Sequence, residues 1–181
     1  MNPSLLPLAF KVLLVVTALI AGVYDLRYRR IPNRLTLAAA ALGLILNTLF
    51  FHWDGLGSAL LGIGIAMLVY FPLYLLRGMG AGDVKLMMAI GAIAGPSNWF
   101  QIFVLTAVCG AFFGLCLVVV KRRVYQTFLN CYFLLSEMCH LRAPHRTTPQ
   151  LDVSSSEALR LPHGVSIALG SIVAVSFHLA G

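Results

Sequence analysis

The sequence predicts an all-α, polytopic integral membrane protein with about six transmembrane helices in a single membrane-embedded domain covering residues 1–181. Hydrophobic residues make up 60% of the 181 residues and charged residues only 10%, and the mean hydropathy is +0.90. A soluble domain of this length cannot bury so much apolar surface. Several separate apolar runs also approach the roughly 20 residues that a helix needs to cross a bilayer.

Polar breaks divide the apolar runs and place the helices one after another. The first run follows no basic segment and ends without an A-x-A-like cleavage site, so we interpret it as a retained helix rather than a signal peptide. The later breaks are HWDG, RGMGAGD, GPSN and a polar segment from Lys121 to Arg160. The predicted spans are 5–23, 35–51, 56–76, 84–94, 98–120 and 162–180.

The basic residues predict the orientation. If the N-terminus lies outside, in the periplasm, all but one of the 13 Lys and Arg residues fall on the cytoplasmic side, and the exception, Lys11, lies within the first span. The positive-inside rule favours this arrangement, which also places the C-terminus outside. The net charge of +7 is then explained by contact with anionic lipid headgroups, and nucleic acid is not an expected partner.

The polar segment at about 121–160 is predicted to be a cytoplasmic insertion. Its first half, VYQTFLNCYFLLSEMCHLR, is apolar enough to form an amphipathic helix on the membrane surface. Its second half is rich in Pro, Ser and Thr, which is typical of a solvated loop.

Cysteine and histidine spacing predicts neither a metal site nor a cofactor. None of the four cysteines belongs to a C-x-x-C pair, the spacing that is typical of zinc sites and thioredoxin-like motifs. Cys139, His140 and His145 also fit no standard ligand spacing, so we interpret them as part of the loop.

The fourth predicted span is unusually short. Residues 84–120 form almost one apolar stretch, which would be about 55 Å long as a single helix, whereas a bilayer core is about 30 Å thick. The chain must therefore turn at GPSN, which leaves a helix of about 16 Å over 84–94. A helix this short places Asp83, which directly precedes it, at membrane depth.

Two of the six acidic residues, Asp25 and Asp83, are predicted to lie at the cytoplasmic ends of apolar helices. An ionisable residue in such a place is costly and suggests function. A structural alternative exists for each: Asp83 can cap the helix that follows it, and Asp25 can pair with the adjacent arginines. Asp54 lies in the outer HWDG turn, and the other three acidic residues lie in the soluble segment.

Two carboxyl groups that meet in a poorly solvated site share one proton, because both cannot ionise cheaply. One can then deprotonate a water molecule while the other donates a proton to a carbonyl, which together hydrolyse a peptide bond directly. Asp83 precedes a helix N-terminus, which slightly favours it as the base. The pair titrates as a unit, however, so the sequence does not assign the two roles.

The stretches YDLRYRRIPNRLT and GMGAGDVKLMMAIGA, followed late in the chain by LPHGVSIALG, resemble the type IV prepilin peptidases, which are membrane aspartic proteases of the GxGD kind (peptidase family A24). The resemblance implies that Asp25 and Asp83 are the catalytic pair and that Gly80 and Gly82 let a substrate approach. It would place Lys85 near the site, although Lys85 can equally be a lysine that reaches the membrane surface.

By the same resemblance, the substrate is a prepilin, whose short basic leader is cut at the cytoplasmic face of the bacterial inner membrane, ahead of a hydrophobic helix. His163 stands where the family is expected to have a tyrosine. Longer members carry paired C-x-x-C motifs and methylate the new N-terminus. This sequence lacks those motifs, so it resembles the short form associated with tight-adherence (Flp-type) pili, for which methyltransferase activity is not expected.

Other functions stay open at this point. An intramembrane protease of another GxGD type would use the same pair within a transmembrane helix of its substrate. A small proton-coupled transporter could relay protons through two membrane carboxyl groups. A scaffold of a pilus-assembly complex would need neither carboxyl group for chemistry. The oligomeric state is not predicted.

Overall fold

The computed structural model describes residues 8–75, 79–120 and 163–180, with side chains as far as Phe177, and these residues form helices and short connections only. The all-α prediction is therefore confirmed for them. The predicted insertion at 121–160 lies outside the described residues, as do Arg77 and Gly78. The helices are α1 (Leu8–Tyr28), α2 (Asn33–Leu75), α3 (Ala81–Val120) and α4 (His163–Ala180).

Three of these helices, α1, α2 and α3, are long and apolar enough to cross a membrane, and α4 contains a shorter apolar stretch. Large apolar side chains cover their outer surfaces, including Leu37, Leu68, Phe112 and Leu115. A monomeric soluble protein rarely exposes such an apolar exterior. The fold is thus consistent with a multi-pass membrane protein, whereas the count of six spans and the orientation of the termini stay predictions.

Helix α2 folds back on itself at His52, whose backbone is non-helical (φ 53°, ψ −135°). In a straight helix, Gly43 and Gly62 would be about 28 Å apart. Both nevertheless pack against the same short stretch of α3, Gly43 against Ala92 and Gly62 against Gly91. The helix therefore consists of two arms, 33–51 and 53–75, and the turn falls at the predicted HWDG break.

Helix α3 folds back in the same way at Gly95 (φ 70°, ψ 176°), directly before Pro96. The indole nitrogen of Trp99 donates a hydrogen bond of 3.1 Å to the carbonyl of Met87, although a straight helix would separate these residues by about 18 Å. The left-handed backbone at this position favours glycine. The turn lies within the predicted GPSN break and divides α3 into arms 81–94 and 96–120.

The first arm of α3 (81–94) is the centre of the bundle. Of residues 83–94, only Lys85 and Met88 are not buried. Its last carbonyls lack helical partners, and the buried Asn47 amide of α2 donates to one of them, Ala92, at 2.9 Å. This arm is short because it is enclosed by other helices and ends inside the bundle, where a side chain caps it.

Close backbone packing joins α2 to this central arm at Gly62 and Gly91. A Cβ atom on either glycine would overlap the other glycine's carbonyl group. We expect Gly62→Ala to lower the free energy of unfolding by about 1–3 kcal/mol, because overpacking forces the helices apart. The measurement is the thermal unfolding midpoint of the purified protein in detergent.

Gly64→Ala is the matched control for that substitution, since a Cβ atom at Gly64 meets nothing within 4 Å. In a helix, this control is expected to be neutral or slightly stabilising. Equal midpoints for Gly62→Ala and the unsubstituted protein would contradict the packing described above.

Candidate active site

Asp25 lies in the last turns of α1 and is buried, with 8% of its surface exposed. Helix α1 ends just after it, where Arg29 adopts a left-handed backbone (φ 54°) and Pro32 follows. The carboxylate oxygen Oδ2 accepts a hydrogen bond of 2.8 Å from the backbone N–H of Gly164. Gly164 is the second residue of α4, where a backbone N–H has no helical acceptor. Asp25 therefore caps α4 from the end of α1.

Asp83 lies in the first turn of α3 and is also buried, with 9% of its surface exposed. Its backbone N–H donates to the carbonyl of Gly80 at 3.1 Å, which closes the turn that opens the helix. A Cβ atom on Gly80 would lie 3.3 Å from Oδ2 of Asp83. Any side chain at Gly80 would thus press on the carboxyl group.

The fold brings these two aspartates together, although they are 58 residues apart in the sequence. Their carboxyl groups lie close enough for their charges to interact. The C-terminal end of α1 and the N-terminal ends of α3 and α4 meet at this point. A buried acidic pair at one end of an apolar bundle is suited to acid–base chemistry on a peptide bond.

The helix ends do not distinguish an acid from a base within the pair. The sequence favoured Asp83 as the base because a helix N-terminus stabilises an anion. Asp25 also lies at a helix N-terminus, that of α4, and accepts a hydrogen bond from it. That ground for preferring Asp83 therefore no longer holds.

The other predicted site residues connect the G-A-G-D stretch to the I-P-N stretch. A Cβ atom on Gly82 would lie 3.3 Å from Cβ of Ile31, so Gly82 allows the two stretches to pack closely. Lys85 is exposed, and its Nζ donates a hydrogen bond of 3.0 Å to Oδ1 of Asn33. The roles of Gly80, Gly82 and Lys85 toward a substrate stay predictions.

Two further residues lie at the pair and were not predicted to do so. Gly164 belongs to the LPHG stretch, but its contribution is a backbone N–H, which leaves no signal in a sequence. Tyr70 is buried in the second arm of α2 and lies close enough to Asp83 for an electrostatic interaction between the two side chains. Its ring packs edge-on against Trp99 at 6.2 Å, which holds it in place. As one tyrosine in an apolar run, it had no distinguishing signal.

His163 is the first residue of α4 and lies close enough to Asp25 for an electrostatic interaction between the two side chains. Among residues 8–75, 79–120 and 163–180, no group of three His, Cys, Asp or Glu side chains could hold a metal ion. The loop residues Cys139, His140 and His145 lie outside those ranges.

Comparison with known proteins gives a family match over residues 12–115, to the type IV leader peptidase family. The prepilin leader peptidase/N-methyltransferase of Escherichia coli K12 is 30% identical over 113 residues, which are 59% of this chain and 50% of that protein. The protein of the same description from Aeromonas hydrophila is 35% identical over 118 residues, 61% of this chain and 40% of that protein.

A preflagellin peptidase of Methanococcus voltae is 30% identical over 89 residues, 47% of this chain and 37% of that protein. The chain thus spans half or less of the length of these curated relatives. No solved structure matches it. The family match covers more than half of the chain and includes both aspartates, Asp25 and Asp83. The chain therefore belongs to the type IV leader peptidase family.

Proposed function

We propose that this chain is a membrane aspartic endopeptidase that removes the short basic leader from type IV prepilins of the Flp class. The observation that carries the proposal is the pairing of Asp25 with Asp83, buried at the meeting point of three helices in a chain of the leader peptidase family. The similar proteins are described as prepilin leader peptidases and a preflagellin peptidase.

In the proposed reaction, the acidic pair holds one proton and binds a water molecule beside the scissile peptide bond. The ionised carboxylate takes a proton from the water, whose oxygen bonds to the peptide carbonyl carbon. The protonated carboxyl group gives its proton to the carbonyl oxygen. Collapse of this intermediate breaks the C–N bond: the amine receives the proton taken from water, and one hydroxyl of the intermediate returns its proton to the other carboxylate, which re-forms the carbonyl and restores the singly protonated pair. The reaction needs neither a metal nor a cofactor.

The position of the pair supports a substrate with a polar leader and an apolar helix. Asp25 and Asp83 lie at the end of the bundle, so a leader can reach them from the aqueous side while the following helix stays among the apolar helices. With the orientation predicted from the basic residues, this end faces the cytoplasm at the bacterial inner membrane. The Flp class comes from the sequence resemblance alone. Methyl transfer is outside the proposal.

Leader removal is tested by producing the full chain in bacteria together with a Flp-type prepilin, and separately with a type IV prepilin that is not of the Flp type. We expect the Flp-type prepilin to shift to the mature size on a gel. Mass spectrometry of its N-terminus identifies the bond that is cut. Cleavage of the other prepilin alone would contradict the Flp assignment and leave the peptidase intact.

Failure to cut either prepilin would contradict the proposed function, provided that the chain is present in the membrane fraction. A single-span membrane protein without a prepilin leader serves as the control for substrate choice. If it is cut within its span, the chain would instead be an intramembrane protease of the other GxGD type.

A further inference from the structure

Two contacts hold the connection between α1 and α2, residues 29–32, against the first turn of α3. The first is apolar: Ile31 is buried, and a Cβ atom on Gly82 would lie 3.3 Å from its Cβ. The second is polar: Nζ of Lys85 donates a hydrogen bond of 3.0 Å to Oδ1 of Asn33, the first residue of α2. Both contacts lie within a few residues of an aspartate of the candidate site.

The backbone of Asn33 is fixed by its own helix. Its carbonyl accepts a hydrogen bond of 3.0 Å from the hydroxyl of Thr36, which is buried. The backbone N–H of Thr36 donates to the carbonyl of Pro32 at 3.3 Å. The Asn33 side chain therefore extends toward α3 from an ordered first turn of α2.

Lys85 lies on the exposed side of the arm 81–94, whereas its neighbours Val84 and Leu86 are buried. An exposed lysine can extend its ammonium group toward water or lipid headgroups. Here the ammonium group instead donates to a side-chain carbonyl of α2. Hydrogen bonds with a charged donor are stronger than those between neutral groups. Lys85 therefore connects this arm to the start of α2.

The other contacts that hold the aspartates in the bundle do not make this connection. The close glycine packing of the arm at Gly91 is eight residues from Asp83, or about 12 Å along the helix. Asp25 is bound to α4, through its hydrogen bond from a backbone N–H. The hydrogen bond between Lys85 and Asn33 joins the first turn of α3 to the chain segment that directly follows α1.

We propose that Lys85 and Asn33 are positioning residues for the acidic pair: their hydrogen bond, here called the tether, holds the α1–α2 connection on α3 and so fixes Asp25 relative to Asp83. Two groups that act on one water and one carbonyl must keep their separation, because a displacement of about 1 Å can cost about 10²-fold in rate. The effect on cleavage rests on the proposed function, whereas the tether itself is measurable without a substrate.

Hydrogen–deuterium exchange of the full chain in detergent measures the tether. Lys85→Met and Asn33→Ala each remove one partner and should speed exchange of the amides in residues 29–36 and 80–86 by about three- to tenfold, the scale of one hydrogen bond. Arg34→Gln is the matched control, since it removes a positive charge from an exposed residue next to Asn33. It should leave exchange unchanged. Unchanged exchange in both Lys85→Met and Asn33→Ala would overturn the proposal.

Steady-state cleavage of a Flp-type prepilin tests the positioning role. Lys85→Met and Asn33→Ala should each lower kcat about tenfold. KM should stay nearly unchanged, because the tether joins two parts of the enzyme. The double variant should also lose about tenfold, whereas two independent roles would give about hundredfold. Asn33→Asp keeps an acceptor oxygen in the same place, so it should retain normal exchange and normal kcat.

A loss of kcat in Lys85→Met with normal kcat in Asn33→Ala would mean that the ammonium group acts directly on the substrate or the pair, and would overturn the proposal. A hundredfold loss in the double variant, or faster exchange with normal kcat, would also overturn it. If the unsubstituted chain cuts no prepilin, the proposed function fails, and the exchange measurement still decides on the tether.

Discussion

Asp25→Asn and Asp83→Asn are each expected to lower the rate of prepilin cleavage by about 10²–10⁴-fold, the usual contribution of a positioned acid or base. Asparagine keeps the size of the side chain and can still accept the Gly164 hydrogen bond at Asp25, but it cannot exchange a proton. Because the two carboxyl groups act together on one water and one carbonyl, their losses should not add. The double variant should therefore cleave prepilin at about the rate of whichever single variant is slower.

The measurement is the initial rate of leader removal by purified protein in detergent, with equal amounts of folded enzyme confirmed by gel filtration. Asp54→Asn is the matched control, because it makes the same change at an exposed residue beside the His52 turn. It should leave the rate unchanged. Normal cleavage by either Asp25→Asn or Asp83→Asn would show that the acidic pair is not the catalytic group.

The positions of the turns could be predicted from the sequence because they follow from local chemistry. Pro96 cannot continue a helix without distortion, and Gly95 can adopt the left-handed backbone that a turn requires. The apolar stretch around them is also too long to cross a bilayer only once. The HWDG break likewise predicted the turn at His52. The reason for the short arm 81–94 was not predictable, because it depends on α2 packing against both its sides and on Asn47 capping its end.

The candidate site was predictable to the extent that it consists of charged groups. Asp25 and Asp83 stand out because acidic residues are rare in this chain and costly within apolar helices. The partner of Asp25 is a backbone N–H that comes from 139 residues further along the chain. A main-chain donor has no residue type of its own, so only the packing of α4 against α1 identifies Gly164.

Gly164→Ala is the second substitution with a large expected effect. A Cβ atom on Gly164 would lie 2.8 Å from Cβ and 2.9 Å from Oδ2 of Asp25, closer than such atoms approach in real proteins. Asp25 or α4 must therefore move. Displacement of a reacting group by about 1 Å can cost about 10²-fold in rate, so we expect kcat to fall on that scale. KM should change little, because the substitution adds no contact to the leader.

Gly22→Ala separates the positioning of Asp25 from the packing of α1 against α4. A Cβ atom on Gly22 would lie 3.0 Å from Cβ of Ala168, at the same pair of helices but one turn away from the carboxyl group. Both variants should lower the thermal unfolding midpoint to a similar extent, while only Gly164→Ala should strongly lower kcat.

If the two variants lose kcat equally, Gly164 acts through helix packing alone. If kcat is normal in Gly164→Ala, the hydrogen bond to Asp25 is not needed for cleavage, and the carboxyl group must be positioned by its other neighbours.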